Sequence, residues 1–208
     1  MNPAILERIK GAAATYHIDP LLLQAVALVE SSGNGFSGGR MVIRFEVHKF
    51  YQFWGATNLD TFHTHFIYLK EQPWANHQVK LPGSPVFQAV HIGQWMEWKT
   101  FDFARSLNED AAISSISMGM FQLMGFNHKL CGFDEARKMF DKLSEGEPEQ
   151  FDAFIAFINS ERQALQALQR FGTDPQAVFE FTTRFNGGGA AAKYTMKIEQ
   201  AYRSLKGK

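Results

Sequence analysis

Residues 20–29, reading Pro-Leu-Leu-Leu-Gln-Ala-Val-Ala-Leu-Val, are apolar almost all round a helical wheel, with only Gln24 interrupting. A helix of that kind has no face to offer water and belongs in the middle of a helical domain. Asp19-Pro20 supplies its start, an N-cap acid followed by proline at the first helical position. Glu30 closes it, and Ser31-Ser32-Gly33-Asn34-Gly35 follows at once. The partial negative charge of a helix C-terminus makes that a poor place for an anion. Partial desolvation would favour the neutral carboxyl further. A glutamate held protonated near neutral pH has the property a general acid needs. A solvated glutamate at a fraying helix end accounts for the same residues, and the local sequence leaves both explanations open.

Composition narrows the surroundings. The 208 residues are 45% hydrophobic and include 20 phenylalanines, enough for a substantial core in one domain spanning 1–208. Lysine plus arginine balance aspartate plus glutamate, so the formal net charge is zero. That balance offers no basic stripe for nucleic acid. The single cysteine, Cys131, cannot form an internal disulfide, which suits a reducing compartment. A packed thiol is its expected role, ahead of a nucleophile. The N-terminus mixes charges into its apolar pattern and does not read as a signal peptide. The Leu21–Val29 stretch is too short to span a bilayer, so synthesis in the cytoplasm without stable membrane insertion is expected.

Helical periodicity dominates the rest. Pro3 to Tyr16 places Ile5, Ile9, Ala12 and Ala13 on one side. Met41 to Phe45 is short and β-prone, and Glu46 to Trp54 returns to helix. Residues 58–92 show no clean period and are expected to form an excursion walling one side of a cleft. Helices are predicted over 95–107, 109–115, 118–123, 133–143, 148–159, 161–171, 175–185 and 190–205. The chain is thus expected to be mainly α, with a buried central helix and a small β-hairpin or irregular subdomain.

Three further segments carry polar residues in suggestive places. Ser117-Met118-Gly119-Met120-Phe121-Gln122-Leu123-Met124-Gly125-Phe126-Asn127-His128 sets a glycine and an amide inside an apolar run. On this segment alone, a core helix whose Gln122 bonds a nearby backbone group is the better explanation. Phe185-Asn186-Gly187-Gly188-Gly189, with Tyr194 beyond, has more glycine than an ordinary helix cap requires. Phe45-Glu46-Val47-His48 offers a second carboxylate, the minimum for a two-acid glycosidase, although a helix N-terminal glutamate needs no catalytic role. No metal site is expected. His63 and His65 alternate as on a strand face, without acidic or cysteine partners at ligand spacing, and the seven histidines read as surface or packing residues.

In this order, Glu30-Ser31, Gly119-Met120-Phe121-Gln122 and Phe185-Asn186-Gly187 resemble motifs of the lysozyme-like superfamily. Val29 to Gly33, Phe45 to His48, Ser117 to His128 and the Asn186-Gly187 turn with Tyr194 more closely resemble the N-acetylmuramidase domain of phage endolysins and related cell-wall effectors. The resemblance covers nearly the whole chain and is weakest over 58–92. It implies a lysozyme-like domain cleaving the β-1,4 bond between N-acetylmuramic acid and N-acetylglucosamine, without a cofactor. Glu30 is the implied general acid and Glu46 the candidate second catalytic group. Ser31, His48, Gln122, Asn127, His128, Asn186 and Tyr194 are the implied substrate-binding residues. Peptidoglycan glycan strands are the expected partner, and a monomer is expected. Holin-type release, or injection with an immunity protein, are both routes to the wall.

The family pattern has Ser-Trp-Gly where this chain has Ser117-Met118-Gly119, so one cleft aromatic is lost or supplied elsewhere. No room for a separate wall-binding domain is expected. A lytic transglycosylase and a non-catalytic peptidoglycan-binding module remain as alternatives on the same motifs.

Overall fold

Asp19 does what its position predicts. Its Oδ1 accepts the backbone N–H groups of Leu21 at 2.8 Å and Leu22 at 3.4 Å, and its Oδ2 accepts the hydroxyl of Tyr202 at 2.8 Å. The helix it starts belongs to a computed structural model that describes residues 3–31, 34–186 and 188–207. Helix α1 (Pro3–Tyr16) buries Ile5, Ile9 and Ala13, and α2 (Pro20–Ser31) buries Leu22, Leu23, Ala25, Val26 and Ala27. Cap and tether act through one carboxylate, so Asp19→Ala is expected to cost about 1–2 kcal/mol. A urea midpoint indistinguishable from wild type would contradict that.

A hairpin follows, β1 (Phe36–Ser37) with β2 (Arg40–Met41), turning through Gly38 and Gly39 at φ of 58° and 78°. Such left-handed angles suit glycine and a tight hairpin. Next come β3 (Ile43–Phe45), α3 (Val47–Phe53) and α4 (Leu59–His65). His63 and His65 therefore lie on a helix, and not on the strand their alternation suggests. The 58–92 excursion contains α4 and the antiparallel sheet β4 (Phe66–Ile67), β5 (Gln78–Val79) and β6 (Gln88–Ala89). Phe62 and Phe66 dock it onto Phe50, with ring centroids 6.4 and 5.3 Å away, and all three rings are buried.

After α5 (Gln94–Leu107) and α6 (Glu109–Ser114), the chain forms β7 (Ile116–Met118) and β8 (Leu123–Met124). These complete the sheet β3-β7-β8, with Arg44 opposite Ser117 and Ser117 opposite Met124. The helix predicted over 118–123 is thus a hairpin. Gly119 at φ 68° and Gln122 at φ 48° turn the chain in a conformation no α-helix contains. The remainder is helical: α7 (Ala136–Leu143), α8 (Glu147–Ser160), α9 (Arg162–Gln169), α10 (Ala177–Asn186) and α11 (Gly188–Lys206). Helices α10 and α11 pack on one another, and α11 also packs along α2, so the C-terminal end of α2 opens toward the β3-β7-β8 sheet. Among the described residues no helix is long and apolar enough to cross a membrane.

Candidate active site

At the end of α2, Glu30 enters a cleft of about 190 Å³. Phe121, Gln122, Leu123 and Met124 of the β7-β8 hairpin line one side, with Asn127 from the short turn that follows. Phe157 of α8, Phe185 of α10 and Tyr194 of α11 line the other. The cleft thus pairs apolar walls with four polar groups, Glu30, Gln122, Asn127 and Tyr194, the composition expected of a site that orients a polar ligand. Burial raises the pKa of the Tyr194 phenol, and the nearby Glu30 charge raises it further. The two groups therefore act on each other across the cleft.

The hairpin wall is rigidly held. The Gln122 side chain accepts the Ser117 hydroxyl at 2.7 Å and donates to the Gly119 carbonyl at 2.8 Å. Its amide retains one N–H and one oxygen lone pair for a ligand. Phe121 stacks on Phe154 of α8, with centroids 4.0 Å apart and planes 6° from parallel. Beneath the turn sits Gln150, 1% exposed, which accepts the Met120 N–H at 2.8 Å and donates to the Leu143 carbonyl at 3.0 Å. Gln150 is one support that sequence reasoning missed. Its signal was an amide on the same face of α8 as Phe154, four residues on, where an apolar residue would be ordinary. Met118 is fully buried and does not face the cleft, while Phe121, Phe157, Phe185 and Tyr194 supply aromatic surface there.

Not every anticipated residue joins this site. His128 is half-buried and bonds within its own turn, its Nδ1 donating to the Gly125 carbonyl at 3.2 Å, and it is not among the cleft-lining residues. The side chains of Ser31 and Asn186 lie outside the described residues. The 58–92 excursion contributes nothing to the lining either, so the β7-β8 hairpin is the wall that the excursion was expected to form.

Glu46 and His48 sit in a separate polar cluster. One Glu46 oxygen accepts Arg44 Nε at 2.9 Å, and the other lies 3.5 Å from His77 Nδ1 and 3.6 Å from His48 Nδ1. His77 is fully buried at its side chain and bonds onward to His91, and His91 bonds to the buried Glu97. Burial lowers the pKa of both His48 and His77 against the raising effect of Glu46. Three of the seven histidines are therefore a connected network and not separate surface residues. Glu97 was legible as an anomaly, since it shares a helical stripe with Phe101 and Ala104.

Two other features lack the chemistry of an acid site. A hollow of about 460 Å³ beside the β1-β2 hairpin holds Asp102, but Asp102 pairs with Arg40, whose guanidinium stands 3.6 Å from the Trp98 ring centroid. Burial pushes the Cys131 thiol up to about 12, which leaves it a packed thiol and not a nucleophile.

A glutamate ending a buried helix, set in a cleft against a small β wall, defines the lysozyme-like class of helical fold. The chain belongs to the N-acetylmuramidase family, whose profile matches residues 19–206. Among solved structures it is similar to the Burkholderia AP3 phage endolysin, with a TM-score of 0.73 and 26% sequence identity. That similarity covers 98% of this chain and 71% of the endolysin chain. No curated protein matches it.

Proposed function

We propose that the protein is a peptidoglycan hydrolase that cleaves the β-1,4 bond between N-acetylmuramic acid and N-acetylglucosamine, with Glu30 as general acid. The observation that carries this is the placement of Glu30 at the end of α2, within a cleft shared with Gln122, Asn127 and Tyr194. Glu30 donates its proton to the glycosidic oxygen as the bond from that oxygen to the muramic C1 breaks. Positive charge spreads over the ring oxygen and C1, water adds to C1, and the water's proton returns to the Glu30 carboxylate. Gln122, Asn127 and Tyr194 hydrogen-bond the sugar, and Phe157 and Phe185 give its rings apolar surface. Ser31 and Asn186 belong to this proposal as substrate contacts on the strength of their motifs alone.

Glu46 has a different place in it. Its carboxylate is committed to Arg44, His77 and His48, and Glu30 is the one carboxylate lining the cleft among the described residues. We therefore assign Glu46 and His48 to the support of the sheet behind the cleft, and not to direct attack or charge stabilisation. A cleft with one acid also suits a second outcome, in which the muramic C6 hydroxyl attacks C1 in place of water.

Mass spectrometry of muropeptides released from purified sacculi decides the chemistry. Reducing muramic ends carrying one added water are the expected products. Products ending in 1,6-anhydromuramic acid would replace hydrolysis by transglycosylation. Sedimentation with sacculi and no soluble product would reduce the protein to a binding module. The sequence-based expectations of release through a holin or injection with an immunity protein stay proposals about how the protein reaches the wall.

A further inference from the structure

In the histidine network two ring nitrogens face each other at 2.8 Å. His77 Nε2 stands 2.7 Å from the Pro73 carbonyl, which can only accept, so Nε2 carries the hydrogen. His91 Nδ1 stands 2.7 Å from the Glu97 carboxylate, which also accepts, so His91 carries its hydrogen on Nδ1. In the neutral rings, His77 Nδ1 and His91 Nε2 are then both bare lone pairs, and they face each other at 2.8 Å. A Glu46 oxygen lies 3.5 Å from the same His77 nitrogen, and all three ligand atoms fall within 4.8 Å of one another. Two lone pairs and a carboxylate oxygen are thus gathered in one small volume, as the ligands of a single cation are.

We infer that Glu46, His77 and His91 bind a divalent first-row cation of the zinc class. Two imidazoles and a carboxylate are borderline ligands suited to Zn²⁺. The outer partners match as well. Glu97 on His91 and the Pro73 carbonyl on His77 fix the tautomers that expose the ligating nitrogens, as partners behind metal-bound histidines do. Arg44 holds the second Glu46 oxygen and so orients the carboxylate. Tetrahedral ligands about 2.1 Å from zinc lie about 3.4 Å apart, so on binding the two nitrogens separate by about 0.6 Å while the Glu46 oxygen, which lies within 4.8 Å of both, swings toward His91.

The ligands come from different parts of the chain. Glu46 lies between β3 and α3, directly beside the sheet that carries the cleft wall, while His77 and His91 flank the β5-β6 hairpin of the excursion. The cation therefore staples the excursion to the body of the domain. Because Glu46 follows β3, which pairs with β7, the staple also stiffens the sheet carrying Gln122. Its role is structural and separate from the chemistry proposed for Glu30. The ligands lie far apart in sequence, which is why local spacing predicts no metal site.

The test uses the full chain, stripped with a chelator and titrated with Zn²⁺ alone by calorimetry, then with Co²⁺ by visible spectroscopy. One cation per chain is expected, with a Kd below about 10 μM, together with a higher melting temperature and a Co²⁺ spectrum typical of mixed nitrogen and oxygen ligands. His91→Asn should weaken binding by at least about 100-fold, and Glu97→Gln by about 10–100-fold. Far-UV circular dichroism establishes that each variant is folded. If either is not, the wild-type titration decides alone. No saturable binding of Zn²⁺ or Co²⁺ by folded wild type below about 1 mM overturns the site, as does unchanged binding in both folded variants. Glu30→Gln is expected to bind as wild type does, so loss of lytic activity and loss of the cation are read separately.

Discussion

Replacing Glu30 by Gln is expected to lower muropeptide release from purified sacculi by about 10²–10⁴-fold, the contribution a positioned general acid makes. Gln keeps the shape and polarity of the side chain and removes the proton that the leaving oxygen needs. The fold should survive, because Glu30 is only partly buried at the last turn of α2 and the buried Leu22, Leu23, Ala25, Val26 and Ala27 hold the helix. Matched circular dichroism spectra and melting curves therefore accompany the assay. Turnover within a factor of a few of wild type would remove Glu30 from the mechanism and with it the proposed chemistry. The Glu30→Gln variant should still sediment with sacculi, since Gln122, Asn127 and Tyr194 are unchanged.

The largest expected effect on stability is that of Gly119→Ala. Gly119 sits at φ 68°, where a Cβ costs roughly 1–2 kcal/mol. The added Cβ would also lie 2.5 Å from Cδ of Gln150. Gln150 cannot simply retreat, because it satisfies the buried Met120 N–H and the Leu143 carbonyl. Displacing it leaves buried polar groups unpaired, at about 1–3 kcal/mol. Together these give about 2–5 kcal/mol, or a melting temperature lower by about 5–15 °C for a chain of this size. Because both changes lose the same Gln150 hydrogen bonds, combining Gly119→Ala with Gln150→Ala should cost less than the sum of the two single changes. A melting temperature within about 2 °C of wild type for Gly119→Ala would show that the turn is not held in this way. The cleft should suffer as well, because Gln122 anchors on the Gly119 carbonyl.

Those two residues show how unevenly the site is written into the chain. Glu30 was visible because its setting is local: a cap at Asp19, an apolar helix and a glycine-rich exit all lie in one continuous stretch, residues 19–35. Gln122 was visible as a motif, but its environment was misread. Apolar residues around it suggested a core helix, whereas the left-handed angles at Gly119 and Gln122 make a hairpin. Short apolar runs cannot separate helix from strand by period alone, and the deciding contacts, β7 on β3 and Gln150 on Met120, come from distant segments.

Glu46 is the opposite case. Its position after a strand invited pairing with Glu30, yet its partners are Arg44, His48 and His77. Neither His77 nor His91 stands out by spacing, because the excursion that carries them has no period to read. Only the docking of Phe62 and Phe66 on the body brings them to Glu46 and Glu97.

By itself, then, the chain determined a helical domain built around residues 20–29 and an acid at its end, because capping, periodicity and glycine breaks act over a few residues. The companions of that acid were decided by tertiary structure alone. Gln122 and Tyr194 reach Glu30 from β7-β8 and α11, and Glu46 is drawn instead to histidines from a folded excursion. Contacts between remote segments form when apolar faces bury against one another, and no local pattern records which faces will meet.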